Sequence, residues 1–269
     1  MVCFLYFSSR MKYIVYLFIF LSASIFSQEI IEPLFIKKTS LNIETLISVD
    51  NFNTQYDITN NIFNKRNDTK TITYNNLQLG NLESANTFNP LKINLFYKDF
   101  NTVIILDNRL AEIFKIDFNT ISEYKNVSHI TTGHDNTIWI FNQDTQQLEL
   151  YDYKLNTSRT QTLPVQNDVL DLKSNYNTCW LLTKKHLYVY NYFGSLLKKI
   201  KNDGFTSLAQ SNNNIILKKD NSLFYLKKNT ENPIPISTPN LLIKQFFVTN
   251  ETLYIYNNET VYEYQIKIN

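Results

Sequence analysis

One short pattern recurs along this chain and limits what it can fold into. A polar pair leads into a run of apolar residues, followed by a turn and a second apolar run. It reads Asn136-Thr137-Ile138-Trp139-Ile140-Phe141, and again Asn177-Thr178-Cys179-Trp180-Leu181-Leu182. Further copies begin at Asn101, Asn213 and Glu251, and a weaker one at Asn53. The starts at 53, 101, 136, 177, 213 and 251 are separated by 48, 35, 41, 36 and 38 residues. The fourth residue of every copy is large: Tyr56, Ile104, Trp139, Trp180, Ile216 and Tyr254. A period near 40 residues built from strand-forming segments is the mark of a four-stranded propeller blade. Such a unit cannot cover both faces of its sheet alone, so neighbouring copies must pack against it.

Each unit divides into four strands. In the third, the innermost strand spans 129–132, the second 137–142, the third 147–153 and the outer one 159–163. The fourth unit repeats this at 169–173, 178–183, 186–191 and 196–200. Val, Ile, Tyr, Phe and Thr dominate these segments and suit a pleated, half-buried surface. No stretch after the leader shows a sustained helical period with caps. With only 4 glycines in 269 residues, the abundant asparagines are expected at turns, because Asn tolerates positive φ. The expected fold is all-β, a β-propeller of about six four-stranded blades. A seventh blade remains open if Leu77 to Pro90, read as an insertion, belongs to one. The last unit lacks a fourth strand, and a spare strand at Pro33 to Lys37 is expected to complete it and close the ring.

The N-terminus reads as a secretory leader. Met11-Lys12 precedes an apolar run from Tyr13 to Phe26, with small residues at its end. The run is short for a membrane span, which needs about 20 residues. Residues 1–27 form the expected signal peptide, with Met11 a possible true start and cleavage before Gln28. The domain is then 28–269, and an uncleaved anchor is the alternative. Cleavage removes Cys3 and leaves Cys179 alone, so no intramolecular disulfide can form. Removing Arg10 and Lys12 takes the 26 basic residues to 24, against 24 acidic ones. A balanced chain without a basic block argues against nucleic-acid binding and against strong attachment to an anionic membrane surface.

The stretch Gly133-His134-Asp135-Asn136-Thr137-Ile138-Trp139-Ile140-Phe141 resembles the blade signature of bacterial sensor-type and related β-propeller repeats. Asn89 to Tyr97, followed by Val103 to Asn108, resembles uncharacterised exported propeller-like proteins of Bacteroidetes, whose leaders similarly end in Ser-Gln. The chain departs from the usual pattern in its scarcity of glycine and its lack of a repeated Trp-Asp pair. The resemblance implies a fold and an exported location, and no activity.

Chemistry-bearing motifs are sparse. The three histidines, His129, His134 and His186, have no metal-ligand spacing, and no calcium loop is present. No Gly-x-Ser-x-Gly elbow or phosphate loop occurs, and Cys179 beside Trp180 reads as a small buried hydrophobe. No catalytic residue, metal or cofactor is assigned. Trp139, Trp180 and the alternating Tyr151, Tyr153, Tyr188 and Tyr190 read as blade-to-blade packing. If a ligand site exists, propeller geometry puts it at the central channel. Asn94, His129, Asp171, Thr206 and Lys244 fall on the proposed innermost strands and are the channel candidates. The leading functional reading is a non-enzymatic binding or scaffold protein of the bacterial envelope, partnered by another envelope protein. A carbohydrate-active hydrolase or lyase and a membrane-anchored sensor are the alternatives.

Overall fold

The computed structural model describes residues 29–267, so the leader expected at residues 1–27 lies outside the described residues. The chain forms six four-stranded antiparallel sheets. Blade 1 would naturally come first, but the chain opens with β1 (Leu34–Ser40), which pairs with the last strand in sequence. Blade 1 then consists of β2 (Thr45–Val49), β3 (Gln55–Thr59), β4 (Ile62–Arg66) and β5 (Thr71–Tyr74). Blade 2 is β6 (Ser84–Asn86), β7 (Ile93–Tyr97), β8 (Thr102–Leu106) and β9 (Glu112–Asp117). Blade 3 is β10 (Val127–Thr132), β11 (Thr137–Asn142), β12 (Gln147–Asp152) and β13 (Thr157–Gln161). Blade 4 is β14 (Val169–Ser174), β15 (Thr178–Thr183), β16 (His186–Asn191) and β17 (Leu196–Lys201). Blade 5 is β18 (Ser207–Ser211), β19 (Asn214–Lys219), β20 (Ser222–Leu226) and β21 (Ile234–Ile236). Blade 6 is β22 (Gln245–Thr249), β23 (Thr252–Tyr256) and β24 (Thr260–Gln265), with β1 as its outer strand.

Turn chemistry follows the sequence closely. Of the fourteen described non-glycine residues with positive φ, nine are asparagines. Asn60-Asn61 and Asn212-Asn213 both hold two consecutive positive-φ residues between paired strands. That geometry suits the right-handed twist of a two-residue hairpin, and Asn is its best non-glycine occupant.

The core consists of seams between blades rather than one central mass. Trp139 lies with Cys179 and Leu181 between blades 3 and 4. Trp180 lies with Ile215 and Leu217 between blades 4 and 5. Ile216 packs with Leu253 and Ile255 of blade 6, and Tyr254 with Ile43 and Leu46 at blade 1. Tyr56 completes the series by packing on Ile93 and Leu95 of blade 2. Five of the six repeated bulky residues thus occupy equivalent seams. Tyr151 and Tyr153 fill the seam of blades 2 and 3, and Tyr188 and Tyr190 that of blades 3 and 4. Truncating a buried aromatic such as Trp139 costs about 3–5 kcal/mol in typical cores.

Blade 2 departs from the reading of the repeat. The segment beginning at Asn101 is its third strand, β8, so Ile104 packs toward blade 1 and not toward blade 3. The true second strand is β7, and Phe96 is the residue it sends into the seam with blade 3. Asn94 therefore lies on the second strand, not the innermost one. Leu77 to Pro90 is no insertion, because it contains the innermost strand β6. This shift of one strand produces the 48-residue gap and leaves six blades.

Ring closure is built as expected, with a longer strand. β1 pairs along β24 from Leu34↔Gln265 to Ser40↔Thr260, and Phe35 meets Tyr264 edge to face at 5.6 Å. Tyr256 adds a clasp where the chain passes from β1 to β2. Its hydroxyl lies 2.7 Å from the Ile43 carbonyl oxygen and accepts from the Ile43 N–H at 3.4 Å. Deleting residues 29–40 should lower the melting temperature by more than about 10 °C or leave the chain insoluble. Tyr256→Phe should cost about 1–2 kcal/mol in urea unfolding. An unchanged melting temperature in the deletion would contradict closure by β1.

Candidate functional site

The first strand of each blade has no partner on one side, and six such edges surround the axis. Those of blades 1, 2, 4, 5 and 6 line a channel of about 750 Å³. Each innermost strand runs toward the same face before turning into the second strand. The channel accordingly opens among these turns, which carry Asn51, Asn175, Asn177, Asn212, Asn213 and Asn250. This asparagine-rich opening is the upper mouth.

Polar side chains tie the innermost strands together. Ser48 bonds Thr87 at 2.6 Å between blades 1 and 2, and the Asn86 amide donates to Thr131 at 3.1 Å between blades 2 and 3. Thr131 and Ser174 bond at 3.0 Å, joining blades 3 and 4. Asp171 Oδ2 accepts the Leu208 N–H at 2.8 Å, and Gln245 Oε1 accepts the Leu46 N–H at 2.7 Å. Peptide groups on an unpaired edge must find partners, and these side chains satisfy some of them without pairing strands across the channel.

A recess of about 100 Å³ opens beside the channel between blades 2, 3 and 4. Glu83, His129, Asp171 and Lys173 converge on it. Asp171 Oδ1 lies 3.4 Å from Lys173 Nζ and accepts the Leu172 N–H at 2.8 Å. His129 Nδ1 sits 2.9 Å from Ser128 Oγ. Burial pulls the His129 pKa down to about 4; Asp171 opposes the shift, while Lys98 and Lys173 add to it. The imidazole is therefore neutral near pH 7 and acts as a hydrogen-bonding group rather than a cation.

The five candidate positions divide. Asp171 lines both the channel and the recess, His129 lines the recess, and Lys244 lines the channel. Lys244 stands one residue before β22 and Thr206 one residue before β18. Thr206 is exposed there, with its N–H donated to the Lys218 carbonyl at 2.8 Å. Asn94 is fully buried, and neither its amide nitrogen nor its amide oxygen has a partner. It belongs to a blade seam, and its assignment to the channel is corrected.

Several lining residues escaped the sequence reading. Glu83 was hidden by the misplaced strand of blade 2. Lys173 was within reach, since it follows Asp171 by two residues and period two puts both on one side. The upper mouth also carries the rings of Phe52, Phe88 and Tyr176, each in a turn between a first and a second strand.

No protein-family profile matches the chain, and no curated protein matches it. Solved structures do. A streptogramin B lyase superposes with a TM-score of 0.59 at 12% identity, covering 82% of this chain and 78% of the other. The virginiamycin B lyase of Staphylococcus aureus, with quinupristin, gives 0.58 at 11%, covering 86% and 99%. The Pan2 WD40 domain of Neurospora crassa gives 0.55 at 9%, covering 86% and 75%. At these identities the likeness shows the propeller fold, which hosts many unrelated functions.

The His129 environment has a measurable consequence. In the unfolded chain the imidazole titrates near its ordinary value of 6.5. Between that value and about 4 the unfolded state binds a proton that the folded state does not. Stability should therefore fall as the pH drops through this window, by about 3 kcal/mol for a full shift. His129→Gln should flatten that part of the profile. An NMR titration giving His129 a pKa near 6.5 would contradict the buried, neutral assignment.

Proposed function

We propose that the protein is an exported, non-enzymatic binding or scaffold propeller of the bacterial envelope, engaging its partner at the upper channel mouth. One observation carries the reading. The channel opens among turns rich in asparagine and aromatic side chains, borne on strands that are locked to one another by hydrogen bonds. A rigid scaffold that presents variable turns at one end is suited to recognition. The leader at residues 1–27 supports export, and the balanced charge of the remainder supports a partner other than nucleic acid or anionic lipid. Among the described residues no helix is long and apolar enough to cross a membrane.

A second reading, a hydrolase or lyase acting on carbohydrate, draws on the recess where Glu83 and Asp171 meet His129 and Lys173. Paired carboxylates beside an imidazole can serve general acid–base chemistry. In this structure, however, both Asp171 oxygens accept backbone N–H groups. That engagement favours a bracing role for Asp171 between innermost strands.

A photo-crosslinking residue at Asn177, in the upper mouth, should capture an envelope component in living cells. The same residue at Asp203, in the turn between β17 and β18 on the opposite face, should not. Equal capture from both faces, or none from Asn177, would contradict the assigned face. N-terminal sequencing of the exported protein should begin at Gln28, and a retained leader would favour the anchored sensor.

A further inference from the structure

From the channel mouth a line of aromatic rings runs outward over blade 3. Phe88 meets Tyr176 edge to face at 5.0 Å, and Tyr176 meets His134 at 5.6 Å. His134 meets Tyr192 at 5.6 Å, and Tyr192 meets Phe193 at 5.4 Å. Phe88 and Tyr176 remain more than a third exposed, and Phe193 is 75% exposed. Tyr192 packs in part against the seam of blades 3 and 4, whereas Phe88, Tyr176, His134 and Phe193 belong to no seam. We propose that this ridge is a binding platform for a neutral oligosaccharide. The proposal rests on the upper face being the binding face and adds the chemical class of its ligand.

The ridge is braced from below. Lys92 reaches across from blade 2 and donates to the carbonyls of Gly133, Asp135 and Thr137 at 2.7, 2.8 and 3.0 Å. Three donors meet three acceptors, which fixes the turn that carries His134. A side chain at Gly133 would collide with Thr137, so the turn cannot relax by substitution there. On the far side, Arg159 donates to the Tyr192 hydroxyl at 3.3 Å and Thr160 Oγ1 to the Phe193 carbonyl at 3.0 Å. Gly194, at φ 76°, has Thr160 packed where a Cβ would lie. Solvent-facing rings held this firmly lose little freedom on binding.

The charges indicate the ligand class. His134 Nδ1 lies 3.0 Å from Asp135, and Arg159 pairs with Asp152 at 2.6 Å. Arg159 and Asp152 neutralise one another, the Lys92 ammonium is enclosed by three carbonyls, and the exposed Asp135 carboxylate disfavours an acidic ligand. The remaining surface offers ring faces and, at its channel end, the exposed Asn177. An aromatic face is the negative side of the ring quadrupole and attracts polarised C–H groups. Pyranose rings present such C–H faces, and their hydroxyls suit amide donors and acceptors.

The test uses the exported chain and a panel of neutral hexasaccharides, namely cello-, laminari-, xylo- and mannohexaose, with oligogalacturonate as the acidic control. Calorimetry should show at least one neutral hexamer binding, with the acidic oligomer at least about tenfold weaker. Tyr176→Ala should weaken binding about tenfold or more, whereas Tyr176→Phe should stay within about threefold of wild type. Phe100→Ala, in the turn between β7 and β8 on the opposite face, should bind as wild type, and melting curves should confirm that each variant is folded. The proposal is overturned if no neutral hexamer binds, if oligogalacturonate binds as well, or if folded Tyr176→Ala binds normally. Capture through Asn177 without glycan binding would leave the binding face standing and remove the carbohydrate assignment. A protein recovered by that capture in place of a glycan would do the same.

Discussion

The structure depends on each sheet burying both of its faces against a neighbour. A single four-stranded sheet presents two apolar sides and cannot leave either in water. Six sheets set radially solve this only if the sixth also covers the first. The seam between blades 6 and 1 holds Tyr254, Tyr256 and Val261 against Ile43 and Leu46. Continuity across it is covalent at one end only, through the four residues between β1 and β2. The other component is noncovalent, namely the pairing of β1 with β24 and the Tyr256 clasp. Without β1, blade 6 would expose an unpaired strand beside the seam that completes the ring.

The site follows from the same arrangement. Because sheet faces are committed to seams, strand edges and turns are what remain for a ligand. The edges line the channel, and the turns crown its upper mouth. Blade 2 breaks the symmetry with an innermost strand of three residues. Asn86, Thr87 and Phe88 follow from that short strand into the channel wall, and Lys92 extends from the same connection to hold the His134 turn. The channel wall and the aromatic ridge are therefore linked through one irregular blade. Asn94 lies in that blade too, with an amide left without partners between sheets. An apolar residue would pack there at lower cost, and nothing in the surrounding seam accounts for the asparagine.

Much of the fold was legible in the residues. The second strands Thr137–Asn142 and Thr178–Thr183, and the third strand His186–Asn191, coincide with their sequence-based bounds. Their polar starts and continuous apolar runs are strong local signals. Blade 2 failed because β7 and β8 are both wholly buried and look alike, while Ser84-Ala85-Asn86 carries no alternation at all. The site was harder to see. Asp171 and His129 could be placed from strand order, although their meeting with Glu83 and Lys173 needed the ring. The Phe88–Tyr176 contact joins turns of blades 2 and 4 across blade 3, and no sequence period announces such a pairing. Local pattern gives strands, whereas the site is assembled by closure.

Hydrogen exchange along β24 tests closure most directly. As an inner member of a sheet, flanked by β23 and β1, its amides from Thr260 to Gln265 should exchange as slowly as those of β12 and β16, the third strands of blades 3 and 4. Exchange in β24 as fast as in the outer strands β13 and β17 would mean that β1 does not cover it, and the closed ring described here would be wrong.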